Sequence, residues 1–353
     1  MPKSASIKSR EVPYLEYPSS NNQDNNRRKC LIFYIPGNPG LISYYKPFFT
    51  TLRQLLDEKE AKPDSQHAFH IYGQNLLGFH DGDHEPSFGT KTEDGHLTEP
   101  FLLEDQIRYL SETICQVNTV SGPFDEVIIM GHSVGSYMAL EIFHRHHMAV
   151  RNQDEDNQLR KIRFKAGILL FPTVAHIAKS GSGQKLDLIR TTPFLDTWAH
   201  QIAKGFVNLC PSWFLNTVVR KVMRFPEHAA EATLGFLASK DGIWQAIHMG
   251  KNEMETITEE KWSEDLWEIQ DIEDERGGEE EELDASKFFF YFAQKDHWVA
   301  DECRDEFIEK RRRHEKGKTR IFIDEEKTPH AFCIHHSEKV AERVNLWINQ
   351  ISF

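Results

Sequence analysis

The sequence predicts an α/β fold built on a mostly parallel, doubly wound sheet, and three observations carry that expectation. Apolar runs such as Leu31–Ile35, Glu126–Met130 and Ala166–Phe171 are near-continuous rather than alternating, the pattern of strands buried on both faces. Segments with one apolar helical face separate them. One strand, Glu126–Met130, runs directly into Gly131-His132-Ser133-Val134-Gly135 and then into a helical pattern, so a tight strand-to-helix turn carries a serine at its tip.

Along the chain, residues 1–29 are polar and charged, with Lys3, Lys8, Arg10, Glu11 and the stretch Ser19–Lys29. They are expected to form a flexible N-terminal segment, and with no apolar h-region no signal peptide is expected. Leu31–Ile35 is a strand that empties into Pro36-Gly37-Asn38-Pro39-Gly40, a cluster no strand continues through. Tyr45–Leu56 has helical spacing, and His67–Asn75 is the next strand. Leu102–Val117 places Leu103, Ile107, Leu110 and Ile114 on one helical face. Glu126–Met130 leads to a helix over Ser136–His147. Ala166–Phe171, Phe288–Phe292 and Thr319–Asp324 are further strands, and a helix around Ser337–Ile351 closes the chain.

The long gap before Phe288 reads as an insertion after the sixth strand, giving a core of 30–173 and 287–353 and a cap of 174–286. The first half of the cap, Phe194–Phe225, contains Trp198, Phe206, Trp213 and Phe214, with Lys204, Arg220, Lys221 and Arg224 against Asp196. Its second half ends in Asp271–Asp284, nine acids with Arg276, which reads as a solvated loop.

With 42 Lys+Arg against 55 Asp+Glu, the net charge is −13, so no general basic field exists to hold phosphates and nucleic acid is not an expected partner. The five cysteines form no CxxC pair, against a disulfide framework or a zinc site and in favour of a reducing compartment. No window has 18 consecutive apolar residues, so no ordinary spanning helix is expected, although contact with a membrane surface is open.

The glycines flanking Ser133 suit a turn too tight for side chains, which lifts the hydroxyl clear of the sheet. A serine needs a base to take its proton and a third group to orient the base. On this architecture the acid and the histidine follow late strands, where Asp296 and His330 stand. Asp301 and Glu302 fall in the next helix, and His335 and His336 lie farther from the strand end. His132 is read as a packing residue. An oxyanion needs two fixed backbone donors: Val134 follows the nucleophile, and Asn38 is the candidate from the Pro36–Gly40 loop. His80, Asp81, Asp83 and His84 have no recognisable metal-ligand spacing and are read as a hydrogen-bonded rim loop, so no metal and no cofactor are expected.

Pro36-Gly37-Asn38-Pro39-Gly40 with Tyr44-Tyr45, Gly131-His132-Ser133-Val134-Gly135-Ser136-Tyr137, Phe171-Pro172-Thr173, Asp296-His297-Trp298 and Pro329-His330-Ala331-Phe332 together resemble the lipid-droplet-associated hydrolase family. The resemblance spans nearly the whole chain. It implies an α/β-hydrolase fold, a nucleophile at Ser133, an acid at Asp296, a base at His330, and residence on lipid droplets or the endoplasmic reticulum. The acidic run looks like an expansion particular to this sequence.

The expected function is therefore a serine hydrolase that cleaves a lipid ester, such as a neutral-lipid or sterol ester, at lipid droplets. Trp198, Phe206, Trp213 and Phe214 are the expected membrane-docking residues, aided by the neighbouring cations. One alternative is a droplet-surface binding protein with weak or vestigial catalysis; another is a soluble thioesterase or small-ester esterase.

Overall fold

A computed structural model describes residues 6–7, 12–21, 24, 26–119, 122–262, 266, 287–312, 319–351 and 353. The acidic run 271–284 and most of the chain around it lie outside the described residues. Seven strands form one sheet: β1 Tyr14–Tyr17, β2 Arg28–Ile35, β3 His67–Gln74, β4 Glu126–His132, β5 Phe164–Leu170, β6 Lys287–Ala293 and β7 Thr319–Asp324. Their spatial order is β1-β3-β2-β4-β5-β6-β7, parallel throughout except for the antiparallel pair β1 and β3.

Two expectations need correction. Part of the N-terminal segment is not flexible: Tyr14–Tyr17 is a strand of the main sheet, and Ser6–Ile7 pairs with His84–Glu85. Its four residues alternate exposed and half-buried between Pro13 and Pro18, as suits an edge strand covered on one face, and so short a stretch carries too little apolar signal to read. The cap is inserted directly after β5, the fifth strand of this sheet in chain order rather than the sixth.

The main helices are α1 Lys46–Glu60, α2 Leu103–Gln116 and α3 Val134–Arg151, then in the cap α4 Gly181–Thr191, α5 Pro193–Leu209, α6 Ser212–Thr217, α7 Glu227–Ala238 and α8 Gly242–Thr256, and finally α9 Asp301–Arg312 and α10 Ser337–Ile348. Side chains of one strand alternate between two cores. Ile32, Tyr34, Ile128 and Met130 pack with Phe48, Leu52, Val340 and Trp347 of α1 and α10. Leu31, Phe33, Val127 and Ile129 pack with Ile107, Leu110, Met138 and Phe307 of α2, α3 and α9. Every residue of β4 and β5 is buried, which is why those strands read as unbroken apolar runs. This layering aligns the C-terminal ends of β2, β4, β6 and β7 on one edge of the sheet, under the cap.

The loop after β3 fastens the cap. His84, almost wholly buried, hydrogen-bonds Asp83 through Nδ1 (2.5 Å) and Asp241, at the start of α8, through Nε2 (3.0 Å), and its ring stacks on Phe88. Both ring nitrogens are spent on carboxylates, as the rim-loop reading expects. Burial opposes the charge, but the hydrogen bonds to Asp241 and Asp83 outweigh it and raise the imidazole to about 9. This stabilisation is fully present below the ordinary value near 6.5 and is lost as pH rises through about 9. The shift corresponds to roughly 3 kcal/mol, so wild type should lose melting temperature between pH 6.5 and 9.5 while His84→Gln loses little over the same range. Parallel thermal melts would refute the clamp if both proteins responded alike.

Candidate active site

The turn after β4 is built by clashes avoided. A Cβ on Gly131 would lie 2.3 Å from the Gly135 carbonyl oxygen, and one on Gly135 would lie 2.4 Å from that of Ile35. Ser133 adopts φ 55° and ψ −125°, a strained conformation for a side chain-bearing residue. The surroundings hold it there: its N–H donates to the Leu170 carbonyl (2.9 Å), and the Ser136 hydroxyl donates to the Gly131 carbonyl (2.9 Å). Gly131→Ala and Gly135→Ala should each cost about 1–3 kcal/mol or more by overpacking. A lower melting temperature with loss of Ser133 reactivity is the expected reading; unchanged melting would contradict it.

Three predicted residues meet above the sheet edge. His330 Nε2 lies 2.8 Å from Ser133 Oγ, and His330 Nδ1 lies 2.7 Å from Asp296 Oδ2. Asp296 follows β6, and its other oxygen accepts the Trp298 N–H at 2.8 Å. Burial pushes the Asp296 carboxyl up, but His330 and the Trp298 amide outweigh it and hold it below the usual range. The loop carrying His330 is shaped by Asp324 at the end of β7, which accepts the N–H groups of Glu326 (3.0 Å) and Thr328 (2.9 Å) and an ion pair from Lys339 (2.8 Å). These bonds outweigh burial and draw Asp324 down to about 2. Asp301 and Glu302 stand in the first turn of α9, and His335 and His336 lie beyond the loop, as expected.

The Pro36–Gly40 loop presses against Ser133, since a Cβ on Gly37 would sit 3.0 Å from Ser133 Cβ. Gly37 N–H is spent on the Tyr45 hydroxyl (3.2 Å). Among the described residues, no protein acceptor takes the main-chain N–H of Asn38 or of Val134. The Asn38 side chain points away into the cap, donating to the Ala246 carbonyl and to Glu253 Oε1, both at 3.0 Å.

His132 spends both ring nitrogens on partners other than Ser133 Oγ, and it does more than fill space. Its Nε2 donates to the His330 carbonyl (2.9 Å), so its Nδ1 must accept from the Tyr45 hydroxyl (2.7 Å), which itself accepts from Gly37. One neutral ring thus links the loop carrying His330 to the Gly37 turn. Burial, aided by the nearby His330, lowers His132 to about 3. The Tyr44-Tyr45 pair beside the Pro36–Gly40 motif was the only sequence signal for this wiring.

The cap presents the expected aromatics to solvent: Phe206 is 71% exposed, Trp213 70%, Trp198 46% and Phe214 43%. Helix α5 buries no residue, and Phe194, Trp198, Ile202 and Phe206 recur every fourth position, all exposed, which keeps them on one side. The cations are less free than the sequence suggests. Lys204 donates to the carbonyls of Leu237 (3.2 Å) and Ser239 at the end of α7, and Arg220 pairs with Glu227.

A mostly parallel sheet covered on both faces, with a serine elbow and with histidine and acid on late loops, defines an α/β-hydrolase. Solved structures agree at the level of fold. A peroxisomal α/β-hydrolase of Saccharomyces cerevisiae superposes with TM-score 0.56 at 12% identity, covering 99% of this chain and 86% of that one. A juvenile hormone epoxide hydrolase of Bombyx mori gives 0.56 at 10%, covering 96% and 73%. The family model described as lipid-droplet associated hydrolase matches residues 28–333, and the chain belongs to that family. Relatives named lipid droplet-associated hydrolase include one of Mus musculus, 25% identical over 93% of this chain and 87% of its own length, and one of Dictyostelium discoideum, 24% identical over 90% and 87%.

Proposed function

We propose that this protein is a serine hydrolase that cleaves a lipid ester at the lipid-droplet surface through an acyl-enzyme. The observation that carries the reading is the unbroken chain from Ser133 Oγ through His330 to Asp296, at 2.8 and 2.7 Å. His330 Nε2 takes the hydroxyl proton as Oγ bonds to the ester carbon. The carbonyl oxygen becomes an oxyanion held by the N–H groups of Asn38 and Val134. His330 then protonates the leaving alcohol as the C–O bond breaks, and a water repeats the sequence to release the acid. Asp296 stays ionised and orients the ring; no cofactor takes part. Serine attack on an alkyl carbon would leave an ether with no carbonyl for water to attack, so the epoxide chemistry named for the silkworm neighbour does not carry over.

The family and its relatives' names support work at lipid droplets, and the apolar side of α5 with Trp213 and Phe214 supports docking there, or on endoplasmic reticulum, by those side chains. The test is release of labelled acid from a panel of lipid esters presented as emulsified droplets, wild type against Ser133→Ala. If no ester distinguishes the two proteins, the chain is a droplet-surface binding protein rather than an enzyme.

A further inference from the structure

One feature of α8 is unexplained by cap packing alone. Glu253 is 4% exposed, and burial pushes its carboxyl up to about 7 against the opposing Asn38 hydrogen bond. A carboxyl in such a place costs desolvation free energy that an apolar residue would not. Gly250 lies between Ala246 and Glu253 on the same helical face. A Cβ there would clash with Leu186 Cδ2 at 2.8 Å while standing 3.5 Å from Asn38 Nδ2, so the bare backbone admits Leu186 of α4 and the Asn38 amide seats beside it at ordinary contact distance. That amide has two N–H groups, and α8 takes both, one at the Ala246 carbonyl and one at Glu253 Oε1. Asn38 is also the residue whose main-chain N–H is the proposed oxyanion donor.

We propose that Glu253 is a positioning residue of the cap, which sets the Asn38 main-chain donor over Ser133 by anchoring the Asn38 side chain. The inference rests on the serine hydrolase reading and adds to it a dependence of the core's chemistry on a cap side chain. The acceptor belongs to the cap and the donor to the core, so the oxyanion site is complete only while α8 is seated. The neighbouring contacts act in the same sense. Thr233 of α7 accepts from Tyr44 (2.8 Å), His228 of α7 donates to the Cys333 carbonyl (2.9 Å), and Ser182 of α4 donates to the His297 carbonyl (2.8 Å). Each joins the cap to a loop that carries part of the site.

The experiment uses the full chain and p-nitrophenyl octanoate, with Ser133→Ala measured first. Glu253→Ala should lower kcat about 10–100-fold, less than the 10²–10³ for deleting an oxyanion donor outright, with KM changed less than about threefold. Glu253→Gln keeps an oxygen acceptor at the same place and should recover most of the loss. Asn38→Ala keeps its main-chain N–H but loses the anchor, so adding Glu253→Ala to it should slow the enzyme no further. Should Glu253→Ala not fold, Glu253→Met removes the acceptor at similar volume and reads the same quantity. An unchanged kcat, a loss confined to KM, equal losses in the Ala and Gln variants, or multiplying losses in the double variant would each overturn the proposal. Wild-type turnover that Ser133→Ala does not reduce would instead overturn the hydrolase reading beneath it.

Discussion

Ser133→Ala should leave no covalent adduct with a fluorophosphonate, and Asp296→Asn and His330→Ala should each lower ester turnover by about 10³-fold or more with the fold intact. The losses are large because each residue acts through the next: without His330 the Ser133 proton has no acceptor at 2.8 Å, and without an ionised Asp296 the ring loses both its orientation and its counter-charge. Combining the substitutions should add little to the worst single loss. Asp301→Asn and His335→Ala, outside this chain of contacts, should stay within about twofold of wild type. Labelling by fluorophosphonate followed by peptide mapping, with turnover measured alongside, decides the matter. A second serine labelled as strongly as Ser133, or a damaging Asp301→Asn beside a silent Asp296→Asn, would refute the assignment.

Replacing Trp213 and Phe214 together by Ser should move most of the protein from droplets to the cytosol. Each aromatic side chain gains about 1.5–3 kcal/mol on full transfer out of water, whereas a cation near an anionic surface contributes about 1 kcal/mol and is screened by salt. The charge contribution is smaller still here, because Lys204 and Arg220 already have partners in the cap and in Glu227. Neutralising Lys221 and Arg224 should accordingly weaken droplet association only partly and make what remains less sensitive to salt. Flotation and fluorescence imaging of the two variants separate the contributions. Retention of the aromatic double variant on droplets would place targeting elsewhere in the chain.

What could be read from the residues follows a physical divide. Strands buried on both faces announce themselves, so Glu126–Met130 and Ala166–Phe171 were found within two residues of β4 and β5. The elbow was legible because its geometry tolerates only small residues at two fixed positions. Asp296 and His330 were legible because a late strand in each case ends just before them. The edge strand Tyr14–Tyr17 was not, since one-sided burial over four residues leaves no run to detect. Nor were the links that cross long stretches of sequence: Asn38 to Glu253, His132 to Tyr45 and to the His330 carbonyl, Lys339 to Asp324. Hydrogen bonds of this kind have no periodicity, and a buried Glu looks like any surface Glu until its neighbours are known.

The placement of His132 has a consequence for where protons can travel. Its ring centre lies only 5.1 Å from that of His330, and in the proposed cycle His330 becomes cationic twice, once in each half-reaction. A neighbouring imidazole of ordinary basicity could compete for that proton and leave the leaving alcohol unserved. His132 cannot compete, because burial holds it at about 3 and its accepting nitrogen is already filled by the Tyr45 hydroxyl. In the proposed cycle the two rings divide the work as a conductor and its insulation: His330 would carry the proton between serine and product, and His132 would keep the loop in shape without taking that proton up.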